Sequence, residues 1–151
     1  MKPRTNFFVV IILILVVGSC SHIEQKETTL SETINPGTCR IAGTIISIDD
    51  SKDFEGICST QPCVATVRID NILKRGMGFT NTLSKNSIIQ LKFEYTLQPT
   101  TKEMFPKLNY VFPGLKIGEK FRGDVEEVVM IKMEATETDN FYKIYNYDKI
   151  N

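Results

Sequence analysis

The chain of 151 residues carries 18 basic and 18 acidic side chains, one histidine and no tryptophan, and 42% of it is hydrophobic. Balanced charge offers no basic field to hold a nucleic-acid backbone. A single histidine withholds the commonest acid–base group and metal ligand, while the length suits one domain with a real core.

At the N-terminus, Lys2 and Arg4 precede an apolar block, Phe7 to Val17, that contains no polar side chain. A short cationic segment followed by such a block has the layout of an export signal, and the block is well short of the roughly 20 residues that span a bilayer as a helix. The block runs into Val17-Gly18-Ser19-Cys20. These residues resemble the lipobox of bacterial lipoproteins: an aliphatic residue, two small residues and then a cysteine. The resemblance covers about the first twenty residues. It implies that residues 1–19 are removed, that the sulfur of Cys20 takes a diacylglycerol thioether and that its new amine is acylated, palmitate being a typical chain. Several acyl chains anchor stably where one is marginal. Ser21 follows the cysteine, where an aspartate would retain a lipoprotein at the inner membrane. The resemblance therefore implies an outer-membrane lipoprotein, on its periplasmic or surface face, with the membrane as its first partner.

Residues 20–38 comprise the lipidated cysteine and a polar stretch with Glu24, Gln25, Lys26, Glu27, Pro36 and Gly37. This composition predicts a flexible spacer. His22 lies in it and is expected to be an exposed polar residue. Without Lys2 and Arg4, the exported chain keeps 16 basic against 18 acidic side chains, a slight acidic excess.

Residues 39–151 are expected to be an all-β domain. Ile41 to Ile48 is β-branched, and Gly43 within it marks a bulge or bend. Ala65, Val67 and Ile69 alternate with Thr66, Arg68 and Asp70. Ile89, Leu91, Phe93, Tyr95 and Leu97 alternate with Ile88, Gln90, Lys92, Glu94 and Thr96, the period of a half-buried strand. Phe121, Gly123 and Val125 alternate with Arg122, Asp124 and Glu126, and the aromatic run Phe141 to Tyr147 predicts a final strand. The best helical candidate, Thr101 to Leu108, is interrupted by Pro106 and would be short. Five strands with a long excursion between the third and fourth, and the run Pro113-Gly114-Leu115-Lys116-Ile117-Gly118-Glu119-Lys120-Phe121-Arg122-Gly123-Asp124-Val125, resemble a small OB-fold barrel. A β-sandwich can use the same glycine turn.

With Cys20 lipidated, three thiols remain, Cys39, Cys58 and Cys63, so at most one intramolecular disulfide forms. An oxidising compartment predicts that it does. Cys58–Cys63 is the local expectation, with Cys39–Cys58 and Cys39–Cys63 as competitors, and Cys39 is the expected leftover. Four residues separate Cys58 from Cys63 where a redox motif usually has two, and no histidine joins the thiols to build a metal site or activate a nucleophile. No metal or cofactor is expected. Asp49, Asp50, Asp53 and Glu55 cluster after the first strand without the spaced ligands and glycine of an EF-hand, and are read as a solvated loop.

Two loops carry the functional expectation. Gln98 to Gly114 holds Met104, Phe105, Leu108, Tyr110 and Phe112 with three prolines, long for a compact domain. Lys74 to Asn86 places Met77 between two glycines, next to Phe79. Met104, Phe105, Tyr110, Phe112, Met77 and Phe79 are the expected binding surface. The function expected is a non-enzymatic, membrane-anchored binding or assembly module for an envelope protein or glycan. The rivals are a thiol-based metal or redox carrier, and an enzyme or inhibitor acting through these loops.

Overall fold

The computed structural model describes residues 30–53, 55–131 and 138–150. The segment read as an export signal, Cys20, His22 and the stretch read as spacer up to residue 29 lie outside them, as do residues 132–137.

Five strands form: β1 (Thr38–Asp49), β2 (Val64–Arg75), β3 (Ile88–Phe93), β4 (Lys120–Ile131) and β5 (Thr138–Ile150). A single 3₁₀ turn at Ile57–Ser59 is the only helical element among the described residues. The domain is all-β. β1 pairs antiparallel with β2 and β4, β2 with β3, and β4 with β5, whereas β3 and β5 run parallel over Leu91–Phe93 and Tyr142–Ile144. The order β1-β2-β3-β5-β4 returns to β1, so the sheet closes into a barrel.

Period-two alternation explains which side chains fill it. Ile41, Ile45, Val67, Ile69, Leu91, Phe93, Phe121, Val125 and Ile144 point inward and are at most 1% exposed. Phe93 meets Phe121 and Tyr147 edge-on at 5.8 and 5.6 Å between ring centroids. Closing so small a barrel demands sharp bends, and glycines stand where they occur. The β1–β2 register shifts between Ala42 and Gly43, and a Cβ on Gly43 would sit 2.8 Å from Val67 Cγ1. The β4–β5 register shifts between Gly123 and Val125, and a Cβ on Gly123 would lie 2.2 Å from Ile144 Cδ1 and 2.9 Å from the Asn146 carbonyl oxygen. Outside, Arg40 grips Asp124 through two N–H···O bonds of 2.5 and 2.7 Å, and Thr44 donates to Asp70 at 2.5 Å.

Two sequence expectations need correction, one at the end of β3 and one in the spacer. The third strand ends at Phe93, not near Leu97. Beyond it the chain turns across the start of β2: Leu97 N–H and the Thr96 hydroxyl both donate to the Pro62 carbonyl, so Thr96 is buried although alternation placed it outside. Thr101 to Leu108 makes one helical turn, Phe105 N–H to Thr101 O, as short as the interruption at Pro106 required. The polar stretch read as spacer joins the domain early. Leu30 is buried, Lys74 Nζ donates to the Glu32 carbonyl, and β1 begins at Thr38. A Cβ on Gly76 would come 2.2 Å from the Asn35 carbonyl oxygen, so glycine there is what lets this segment cross the end of β2.

Candidate functional site

The chain from residue 94 to 119, between β3 and β4, is sewn onto one barrel mouth. Leu115 N–H donates to Leu97 O, Thr100 N–H to Phe112 O, and Gly118 N–H to Ile45 O, each at 2.8–3.0 Å. The Thr100 hydroxyl accepts Phe112 N–H at 2.7 Å. Gly114 has a φ of +76°, and a Cβ there would fall 2.7 Å from Pro99 N. A left-handed turn at a close backbone crossing admits glycine and little else.

Leu97, Phe112 and Leu115 from this loop plug the mouth and are at most 2% exposed. Phe112 stacks on Tyr147 at 4.8 Å and on Tyr95 at 5.5 Å, with Tyr110 edge-on at 5.3 Å. Such offset and edge-to-face pairs add to the stability that burial supplies. Phe112 is thus a core residue, not part of a binding surface. Tyr110 is half-buried and donates its hydroxyl to Asn146 at 2.7 Å, and Phe105 is half-buried against Tyr95. Met104 is 37% exposed.

Two troughs open on this loop. One, of about 320 Å³, is walled by Tyr95, Met104, Phe105, Pro106, Lys107 and Leu108. The other, of about 410 Å³, is walled by Ile48, Leu97, Pro99, Pro113, Leu115 and Ile117, with Lys116 and the Glu119–Lys149 ion pair (2.6 Å) also lining it. The sequence signalled the loop by its length and apolar content. It gave no sign of Ile48 or Lys149, which reach the second trough only because the ends of β1 and β5 lie beside it; Glu119 reaches it from the end of the loop, just before β4.

Met77 and Phe79 are placed elsewhere. Their loop follows Arg75, which pairs with Cys39 at the start of β1, and Gly37 N–H donates to Met77 O at 2.8 Å. That is the barrel end opposite the troughs. Met77 is 82% exposed, and Phe79 packs on the core beneath the Arg75 guanidinium, 5.8 Å from its ring centroid. The six residues expected to share one surface therefore fall into a core residue, a cluster at one mouth and a pair at the other.

Cys58 and Cys63 form a disulfide with Cα atoms 5.5 Å apart. Chain-entropy reasoning gives so short a loop roughly 2 kcal/mol. Cys39 is the free thiol, fully buried at the far end of β1. The three sulfurs do not converge, and among the described residues no three histidine, cysteine or acidic side chains lie together as a metal site would require. Asp53 of the acidic cluster pairs with Lys92 at 2.6 Å, and Asp49 accepts Ser51 N–H.

Burial pushes the Tyr147 phenol above the ordinary range, as it does Tyr110, Tyr142 and the Cys39 thiol. All four stay protonated in the folded chain at pH values where the unfolded chain has lost those protons. Their contribution is complete below the ordinary thiol and phenol values of about 8.5 and 10 and disappears as pH rises toward the folded values. Urea midpoints are expected to fall steadily above about pH 9, and Tyr147→Phe should flatten part of that limb. A midpoint unchanged up to pH 11, roughly one unit past the ordinary phenol value, would contradict this.

Compared with known protein families, curated proteins and solved structures, the chain finds no match. Any functional reading therefore rests on its own geometry.

Proposed function

We propose that this chain is a membrane-anchored envelope lipoprotein whose OB-type barrel is a non-enzymatic binding module for an envelope protein. One observation carries the reading: the barrel is filled by its own side chains, while its longest loop leaves an apolar trough open at the mouth. Phe93, Phe112, Phe121 and Tyr147 occupy the interior, which leaves the outer surface to receive a ligand. The trough between Tyr95, Met104, Phe105 and Leu108 is apolar apart from Lys107 and the Tyr95 hydroxyl. Such walls suit apolar side chains of a protein better than a sugar, which needs several converging polar groups. Methionine at its edge adapts to irregular apolar surfaces.

The strand order, the parallel β3–β5 contact and the glycine bend in β4 support the OB-type assignment. The Cys20 lipobox and the cationic apolar leader support the anchor.

The test uses a photo-crosslinking residue at Met104 in intact envelopes, with one at Arg68 on the outer face of β2 as control. A discrete adduct from position 104 alone is expected. Met104→Glu, at a half-open position where folding tolerates charge, should weaken binding to the partner so identified by roughly tenfold to a hundredfold, the value of burying one apolar side chain. Equal labelling from positions 104 and 68, or undiminished binding by Met104→Glu, refutes this reading.

A further inference from the structure

We propose that the barrel end bearing Met77 rests on the bilayer that carries the lipid anchor, with Met77 dipping into its interfacial layer. The inference rests on the lipoprotein reading above and assigns a second contact to the same molecule.

Three observations carry it. First, Met77 is 82% exposed although its backbone is held: Gly37 N–H donates to Met77 O, Gly76 N–H to Thr38 O, and Phe79 N–H to Gly76 O. Gly78, with a φ of +82°, completes a turn that presents the side chain outward. Leu73, four residues earlier on β2, is 46% exposed. Second, the tether enters the domain at this end. Glu32 O receives Lys74 Nζ, and the Asn35 carbonyl lies against Gly76.

Third, chain length restricts the geometry. The ten peptide steps from Cys20 to Leu30 reach at most about 35 Å. A strand of twelve residues such as β1 is itself about 40 Å long. An anchored Cys20 therefore keeps the Met77 end within reach of the bilayer, and the troughs lie at the opposite end. The charges here allow the approach. Lys74 and Arg75 flank the tip and are exposed; the Arg75 guanidinium is bonded to the Asn81 and Leu83 carbonyls, so Lys74 is the cation suited to headgroup phosphates. Of the nearby acids, Glu127 accepts the Asn81 amide at 2.6 Å, Glu32 is exposed on the segment whose carbonyl meets Lys74, and Glu126 pairs with Thr38 at the start of β1.

The chain has no tryptophan, so Met77→Trp and Met104→Trp each create a single reporter. The full-length lipidated chain is reconstituted on phosphatidylcholine vesicles containing phosphatidylglycerol, some with brominated acyl chains. Flotation reports the anchor, and quenching reports the loop. The expected result is that the protein floats, that the position-77 emission shifts to the blue and is quenched by bromine, and that the position-104 emission does neither. Lys74→Gln should reduce the loop contact about fivefold. Floating protein whose two reporters behave alike overturns the inference while leaving the anchor intact. Protein that does not float overturns both readings.

Discussion

Phe112→Ala is expected to cost about 3–5 kcal/mol, the range for deleting a fully buried ring. Phe112 is 1% exposed and stacks between Tyr147 and Tyr95, so its removal opens a cavity at the barrel mouth and unpins the loop from residue 94 to 119 at once. The melting midpoint should drop by about 10 °C or more for a domain of this size. Chemical denaturation gives the same free energy through the urea midpoint. Were Phe112 a binding residue on an exposed surface, the substitution would change stability by less than about 0.5 kcal/mol, and partner binding alone would suffer. The comparison with Met104→Glu separates the two roles: one variant should lose stability, the other only binding.

Gly123→Ala should cost about 3 kcal/mol, at the upper end of what overpacking a core incurs. The new methyl group would stand 2.2 Å from Ile144 Cδ1 and 2.9 Å from the Asn146 carbonyl oxygen. The isoleucine methyl can rotate aside. The backbone oxygen cannot, because it belongs to β5, which pairs with β4 on both sides of the register shift. Relief therefore requires the two strands to separate at the bend that helps close the barrel. The same substitution at Gly118 meets no atom within 4 Å, so its cost should reflect only its positive φ. Equal urea midpoints for the two variants would show that the close approach at Gly123 is unimportant.

The strand interiors were legible because alternation is written residue by residue. Val67, Ile69, Leu91, Phe93, Phe121 and Val125 are buried as their spacing required, and Gly43 and Gly123 coincide with register shifts. Strand ends were not legible. Tyr95 and Leu97 continue the pattern of β3, yet the ladder stops at Phe93 because the following segment bonds to Pro62 instead. Propensity cannot anticipate a carbonyl supplied from 34 residues away. The aromatic loop was recognisable by composition, but composition does not say which rings face inward. Phe112 and Phe105 look alike in sequence and differ only because the Thr100 hydroxyl and the Tyr147 ring hold one of them inside.

From the linear chain alone came the properties carried by local pattern: the all-β class and the interiors of five strands. Those depend on neighbours within a few residues, and physics reads them without knowing the fold. Which strand lies beside which, that β3 and β5 run parallel, that the sheet closes on itself, and that Met77 and Met104 occupy opposite ends were settled only by folding. Each of these turns on contacts between distant segments, whose selection is a cooperative packing outcome that no short window of sequence contains.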